Sequence, residues 1–188
     1  MKETEAVIEK ILAGDSKAFE LLVEDHQQLV NHIAYRMIPD ADDREDICQD
    51  IFMRVFQNLS TFRHGSKLST WIARIAYNRC IDYVGKRKIV VTADPLDGPA
   101  QNISDPASLP DRNLESAGTA DLLREEIKAL PGHFRTIITL YHLDDMSYAD
   151  IGEVMTLPEG TVKSYLFRAR RLLRERLLAK YTQEELLQ

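Results

Sequence analysis

Six side chains near the end of the chain have the chemistry to touch nucleic acid: Lys163, Ser164, Phe167, Arg168, Arg171 and Arg174. On a helix of about 3.6 residues per turn, Ser164, Phe167, Arg168 and Arg171 share one face at i, i+3, i+4 and i+7. Lys163, Arg170 and Arg174 flank that face. Val162, Leu166, Ala169, Leu173 and Leu177 form an apolar stripe opposite it. Cations, a hydroxyl and a ring outside the core stripe suit phosphates and base edges in a DNA major groove. The wheel position of Phe167 predicts exposure, and an exposed ring among arginines can meet thymine methyls. Arg168 and Arg171 can reach guanines or phosphates, and Lys163 a phosphate. The competing readings are a ring packed on a neighbouring helix and a merely solvated basic face.

A second group lies between Thr61 and Lys88, where bases interleave with Phe62, Trp71, Tyr77 and Tyr83. Stacking rings beside cations suit single-stranded or unstacked bases. Trp71, Arg74, Ile75, Asn78 and Asp82 share one helix face, and Ala73, Tyr77, Cys80 and Val84 the other. Tyr77 reads better as core, whereas Trp71 fits either role. A third group, Asp46, Gln49, Asp50, Met53 and Gln57 with Phe56 at the boundary, makes an acidic face with two exposed apolar groups. That is either a protein-docking surface or a solvated helix. No phosphate loop, nucleophile elbow or metal-spaced histidine pair occurs, and no cofactor is expected. Cys48 and Cys80, 32 residues apart, read as buried thiols of a reducing cytoplasm.

These groups must be carried by helices, since nearly every periodic segment has helical spacing. Val7, Ile8, Ile11 and Leu12 predict a short helix stopped by Gly14, with Asp15 or Ser16 capping the next. That second helix runs through Phe19, Leu22, Val30 and Met37 to Pro39. The acidic run Asp40 to Asp46 caps a third, which buries Ile47, Cys48, Ile51, Phe52, Val55 and Leu59. A fourth is expected from about Ser69 to Lys88. Residues 90–118 carry four prolines, several acids and no periodicity, which predicts a flexible linker. Beyond it, Leu122, Leu123, Ile127 and Leu130 make one stripe, and Phe134, Ile137, Ile138 and Tyr141 another. Ser147-x-x-Asp150 reads as a capping box opening a short helix. A turn at Thr156 to Gly160 then joins it to the basic helix as a helix-turn-helix, with small Ala149 expected at the close crossing. The predicted fold is all-α: two small helical domains, 1–89 and 119–188, joined by the acidic Pro-rich linker 90–118.

The charge distribution sharpens this reading. The chain is net −6, which disfavours indiscriminate nucleic-acid binding. Residues 62–88 are nevertheless net +6 and residues 160–188 net +4, set among segments of −7, −4 and −5. Such a layout suits a partner that is anionic in two places. The apolar runs are too short for a membrane span, and the acidic start lacks a signal peptide's pattern.

Together these segments resemble the extracytoplasmic-function class of bacterial RNA polymerase sigma factors, over roughly residues 15–88 and 120–180. The resemblance rests on Asp46-Ile-Cys-Gln-Asp-Ile-Phe52, on Phe62-Arg through Ser69-Thr-Trp-Ile-Ala-Arg-Ile-Ala-Tyr-Asn-Arg-Cys-Ile-Asp82, on Leu130-Pro with Tyr148-Ala-Asp-Ile-Gly152, and on Gly160-Thr-Val-Lys-Ser through Arg168-Ala-Arg170. It implies an alternative sigma factor, not an enzyme, that binds core RNA polymerase and directs promoter recognition and initiation. Asp46, Gln49, Asp50, Met53 and Phe56 would dock on the β′ clamp helices, with further contact to the β flap. Arg63, His64, Ser66, Lys67, Ser69, Thr70, Trp71, Arg74, Asn78 and Arg79 would grip the minus-10 element, the loop before the Ser-Thr-Trp corner receiving a flipped base. The tail helix, through Lys163, Ser164, Phe167, Arg168, Arg171 and Arg174, would read the minus-35 duplex, and the linker would thread toward the RNA exit path. The loop from Phe62 to Trp71 has its own composition, so base preference does not transfer. The resemblance further implies a cytoplasmic chain, monomeric when free and held by an anti-sigma protein. The linker allows a compact form, motivated by exposed Met53, Phe56 and Phe167. The rival readings are a dimeric helix-turn-helix regulator that needs no polymerase, and a small helical enzyme.

Overall fold

The computed structural model describes residues 2–63, 65–91 and 119–181, and the expectations for His64, for the linker from 92 to 118 and for 182–188 lie outside these. The helices are α1 (Lys2–Leu12), α2 (Ser16–Met37), α3 (Ala41–Asn58), α4 (Leu68–Val91), α5 (Thr119–Lys128), α6 (Gly132–His142), α7 (Tyr148–Met155) and α8 (Glu159–Lys180). A single 3-10 turn, Leu59–Thr61, follows α3, and no strand occurs among the described residues. The fold is all-α, as the periodicity predicted.

Local chemistry sets most boundaries. Gly14 takes a positive φ of 94°, a conformation that closes α1 at little steric cost. The Asp15 carboxylate accepts from the Ala18 N–H at 3.2 Å and so caps α2. Asp40 does the same for α3, accepting from Asp42 and Asp43 at 3.0 and 3.1 Å. Asp42 and Asp43 also place negative charge on that helix's positive end. Helix α4 continues to Val91, past the expected end at Lys88 and into the first positions assigned to the linker.

In the first half, α2 packs along α4 and α3 lies against both, with α1 laid on α2. Val30, Ile33, Ile51, Val55, Ile72, Ala73, Ala76 and Cys80 are fully buried there. Cys48 departs from expectation. It is half-buried, and its thiol donates to the Asn31 amide oxygen at 3.3 Å. Burial pushes both thiols up, Cys80 to about 12, so neither forms a reactive thiolate at neutral pH.

In the second half, α5, α6 and α7 all pack on α8. Ser147 and Asp150 form the predicted capping box of α7. Of the tail stripe, Val162, Leu166 and Ala169 are buried, while Leu173 and Leu177 are half-buried toward the helix end. The tight crossing is not at Ala149, which is exposed. It is at Gly152, where an added Cβ would lie 2.8 Å from the Leu157 carbonyl oxygen. That oxygen belongs to the backbone of the turn and has little room to retreat. Gly152→Ala is therefore expected to cost about 1–3 kcal/mol through overpacking, read as a lower urea midpoint at unchanged slope.

The two halves also pack on each other, α4 against α7 and α2 against α6, and their buried side chains form one continuous cluster. The apolar groups cited from sequence for a compact form do not make this joint. Met53, Phe56 and Phe167 remain 55%, 49% and 66% exposed.

Candidate nucleic-acid interface

Helix α8 enters after Pro158, with Glu159 in its first turn near the positive helix end. Lys163 reaches back to Glu159 at 2.7 Å, and this hydrogen bond holds its ammonium above the usual range. The Ser164 hydroxyl donates to the Gly160 carbonyl at 2.9 Å, keeping its lone pairs for an incoming donor. Phe167 projects from the face beside exposed Arg168, Arg171 and Arg174. Arg171 lies 3.5 Å from Glu175, an exposed pair that costs little to exchange for phosphate. Arg170 differs. Its guanidinium meets the His142 ring at 3.1 and 3.2 Å and covers the Tyr141 ring at 5.0 Å. It fastens α8 to α6.

Sequence reasoning missed the residue that anchors this helix. The Glu126 side chain on α5 is 2% exposed and accepts from Arg176 Nε at 2.9 Å and Lys180 Nζ at 2.8 Å. Burial alone would push its carboxyl up, but the two cations outweigh that and hold it below the usual range. The basic end of α8 is thus spent on structure, which leaves its middle turns for a ligand. An acid three residues after Leu123 and one before Ile127, inside an apolar stripe, was the available signal.

At the start of α4, Arg63 and Lys67 are exposed, Ser66 and Ser69 half-buried, and Thr70 only 1% exposed. Trp71 is half-buried, its ring 5.5 Å from that of Phe62. Arg74 and Asn78 face solvent on the side away from buried Ile72, Ala73, Ala76 and Cys80. Tyr77 packs partly against the core, and burial pushes its hydroxyl up. The Asp150 carboxylate of α7 takes two donors from this region, Thr70 Oγ1 at 2.9 Å and Lys67 Nζ at 3.2 Å. Elsewhere in the joint, His32 Nδ1 lies 2.9 Å from Asp144 Oδ1, and buried Arg36 donates to Thr139 Oγ1 at 3.1 Å.

On α3, Asp46, Gln49, Met53 and Phe56 are exposed. The Phe56 ring meets Phe19 edge-on at 5.0 Å. Asp50 bonds to Arg79 of α4 and to Arg54 at 3.1 Å. The Arg79 bond is the main cause of its lowered carboxyl pKa. One residue expected at the polymerase surface therefore holds another expected at DNA. Among the described residues no cluster of three His, Cys, Asp or Glu side chains is placed to hold a metal, and no helix is long and apolar enough to cross a membrane.

Comparison with known proteins identifies the family. The Sigma-70 region 2 family matches residues 22–89, and the Sigma-70 region 4 family matches residues 120–173. The chain is 33% identical over 177 residues to the ECF RNA polymerase sigma factor SigW of Bacillus subtilis, spanning 90% of this chain and 94% of that one. It is 34% identical over 176 residues to the ECF RNA polymerase sigma-E factor of Escherichia coli K12, spanning 88% and 90%. Among solved structures it is similar to the sigma factor RpoE of Bartonella quintana, determined with the anti-sigma factor NepR. That likeness has a TM-score of 0.65 at 25% identity and covers 88% and 99% of the two chains. The fold is shared also with CnrH, solved with the cytosolic domain of CnrY, at a TM-score of 0.66 and 21% identity over 94% and 97%. With both regions present in order and such relatives along nearly its whole length, the chain belongs to the extracytoplasmic-function RNA polymerase sigma factors, the alternative sigma factors that direct promoter recognition and transcription initiation.

Proposed function

We propose that residues 1–89 dock on core polymerase and hold the minus-10 strand, while residues 119–188 read the minus-35 duplex. The observation that carries this reading is the separation of faces. Asp46, Gln49, Met53 and Phe56 lie exposed along α3, Arg63 before α4 and Arg74 and Asn78 along it with Trp71 half-buried beside them, and Phe167, Arg168, Arg171 and Arg174 along α8. Each face has one kind of chemistry and suits one kind of partner: protein, single strand, duplex. The work is binding rather than bond-making, and polymerase performs the synthesis. The β′ clamp helices fit the acidic α3 face, and the β flap would meet the second half. The free chain is a cytoplasmic monomer, and an anti-sigma protein holds it, in line with the complex of RpoE with the anti-sigma factor NepR.

Gel filtration with purified core polymerase tests the reading. Stoichiometric co-elution supports it. Absence of association, combined with tight duplex binding by a dimer of the chain alone, would establish the regulator reading instead. Within the holoenzyme, Arg168→Ala is expected to weaken minus-35 duplex binding by about 1–3 kcal/mol if the guanidinium reads a guanine. The loss would then depend on the base at one position. Lys163→Ala should weaken all sequences alike and lower the salt slope by about one. Filter binding across salt concentrations separates the two outcomes.

A further inference from the structure

We propose that in the free chain Asp150 occupies, in cis, the seat that Lys67 and Thr70 offer to a backbone phosphate of the promoter's separated strand, so that α7 and the strand compete for one site. This rests on the reading of Lys67 and Thr70 as strand contacts.

The geometry is that of a two-oxygen anion. Asp150 Oδ1 accepts from the Thr70 hydroxyl at 2.9 Å, and Oδ2 accepts from Lys67 Nζ at 3.2 Å. A phosphate presents the same pair of oxygens to the same pair of donors. The carboxylate is held in place from behind, since Oδ2 also accepts from the Ser147 hydroxyl at 2.6 Å and its N–H at 3.3 Å. While α7 sits there, Thr70 is 1% exposed, so its hydroxyl cannot reach a strand until α7 leaves. The Lys67 side chain is 69% exposed. The Asp150 side chain is 14% exposed, so the cation of the pair is solvated while the carboxylate is largely enclosed. The wider charge pattern agrees: residues 62–88 are net +6 and residues 119–159 net −5, and α4 of the first lies against α7 of the second. Asp150 of α7 thus lies at the start of the basic strand-binding helix, while Arg74 and Asn78 stay exposed further along it.

Closure is also held at a distance from this seat. His32 pairs with Asp144 at 2.9 Å, Arg36 with Thr139 at 3.1 Å, and Lys128 Nζ lies 5.7 Å over the Tyr35 ring. Those contacts allow the halves to be loosened without touching Lys67, Thr70 or Asp150.

The test uses the full chain and a fluorescein-labelled single strand of mixed sequence, with binding read by anisotropy and compactness by solution scattering. His32→Ala leaves Asp144 facing the joint without its partner and should give an expanded chain. Asp150→Asn keeps an oxygen for the α7 cap while removing the charge. Each is expected to bind the strand about tenfold more tightly than the parent chain. Adding Lys67→Ala to His32→Ala should abolish that gain. If Asp150→Asn loses helicity, His32→Ala decides the matter. An expanded His32→Ala chain with parental strand affinity would overturn the proposal, as would a gain that survives Lys67→Ala or a parent chain already extended in solution. Run-off transcription with core polymerase separates the two levels. If the parent chain initiates at a promoter while the strand gain is missing, only the competition in cis fails. If it never initiates, the assignment of Lys67 and Thr70 to a promoter strand fails with it.

Discussion

Replacing Arg176 and Lys180 together by methionine is expected to destabilise the second half by about 3–4 kcal/mol at neutral pH. Methionine keeps the apolar stems and removes both cations. The Glu126 carboxylate, 2% exposed, then stays buried without its charge partners. Breaking a buried pair in this way costs about 3–5 kcal/mol in general. Here protonation sets a ceiling. Neutralising a carboxyl of ordinary pKa 4.5 at pH 7 costs about 3.5 kcal/mol, at about 1.4 kcal/mol per unit, and the chain takes that route if it is cheaper. The pH dependence should reverse sign. In the parent chain the carboxyl is held below its unfolded value, so its stabilising contribution is present above that value and lost as pH falls through the folded one. In the double variant the carboxylate keeps only the long Tyr181 hydroxyl bond at 3.4 Å, so burial dominates and raises the folded value, and stability increases on acidification from neutral pH toward about pH 5. Urea midpoints at the two pH values check this. Adding Glu126→Gln should recover much of the loss. If the double variant were as stable as the parent and showed no change of slope, the clamp would contribute nothing.

The second large effect is expected at the polymerase face. Truncating Met53 and Phe56 together to alanine should weaken binding to core polymerase by about 30-fold or more, the scale of a central apolar hot spot at about 2 kcal/mol or above. Both side chains are about half exposed, so the fold itself should lose little. Phe56 also touches Phe19, and a thermal melt of the variant isolates that share. Charge reversal of Asp46 should act differently, slowing association and flattening its dependence on salt. Asp50→Ala is a separate case. It frees Arg79 and Arg54, so its effect should appear in strand binding as well as docking. Unchanged polymerase affinity in the Met53/Phe56 variant would place the docking surface elsewhere on the chain.

Much of this was legible from sequence because it is local. The Ser147/Asp150 box, the Asp15 and Asp40 caps, the Gly14 stop and the tail-helix stripe are set within a few residues, where spacing reports geometry. The exposure of Phe167 followed from its wheel position alone. What spacing could not show were contacts across the chain. Glu126 meets partners 50 and 54 positions away, and Asp150 meets Lys67 and Thr70 across 83 and 80. The capping box was read correctly, yet nothing in it indicates that the same carboxylate has oxygens free for a second task. Ala149 was chosen for the crossing by size, whereas Gly152, one turn nearer the bend, meets the returning backbone. Exposed apolar groups were expected to seal a compact form. The structure seals it instead with other, buried side chains of α2, α4, α6 and α7, continuous with both cores, and with polar pairs beside them.

The most direct measurement of the central claim is run-off transcription from a randomised promoter library with core polymerase, with and without this chain. Core polymerase alone should show no promoter preference. With the chain present, the selected templates should share two short blocks at a fixed spacing, and Arg168→Ala should relax only the upstream block. Transcripts with no shared sequence, or none beyond those of core polymerase alone, would contradict the account.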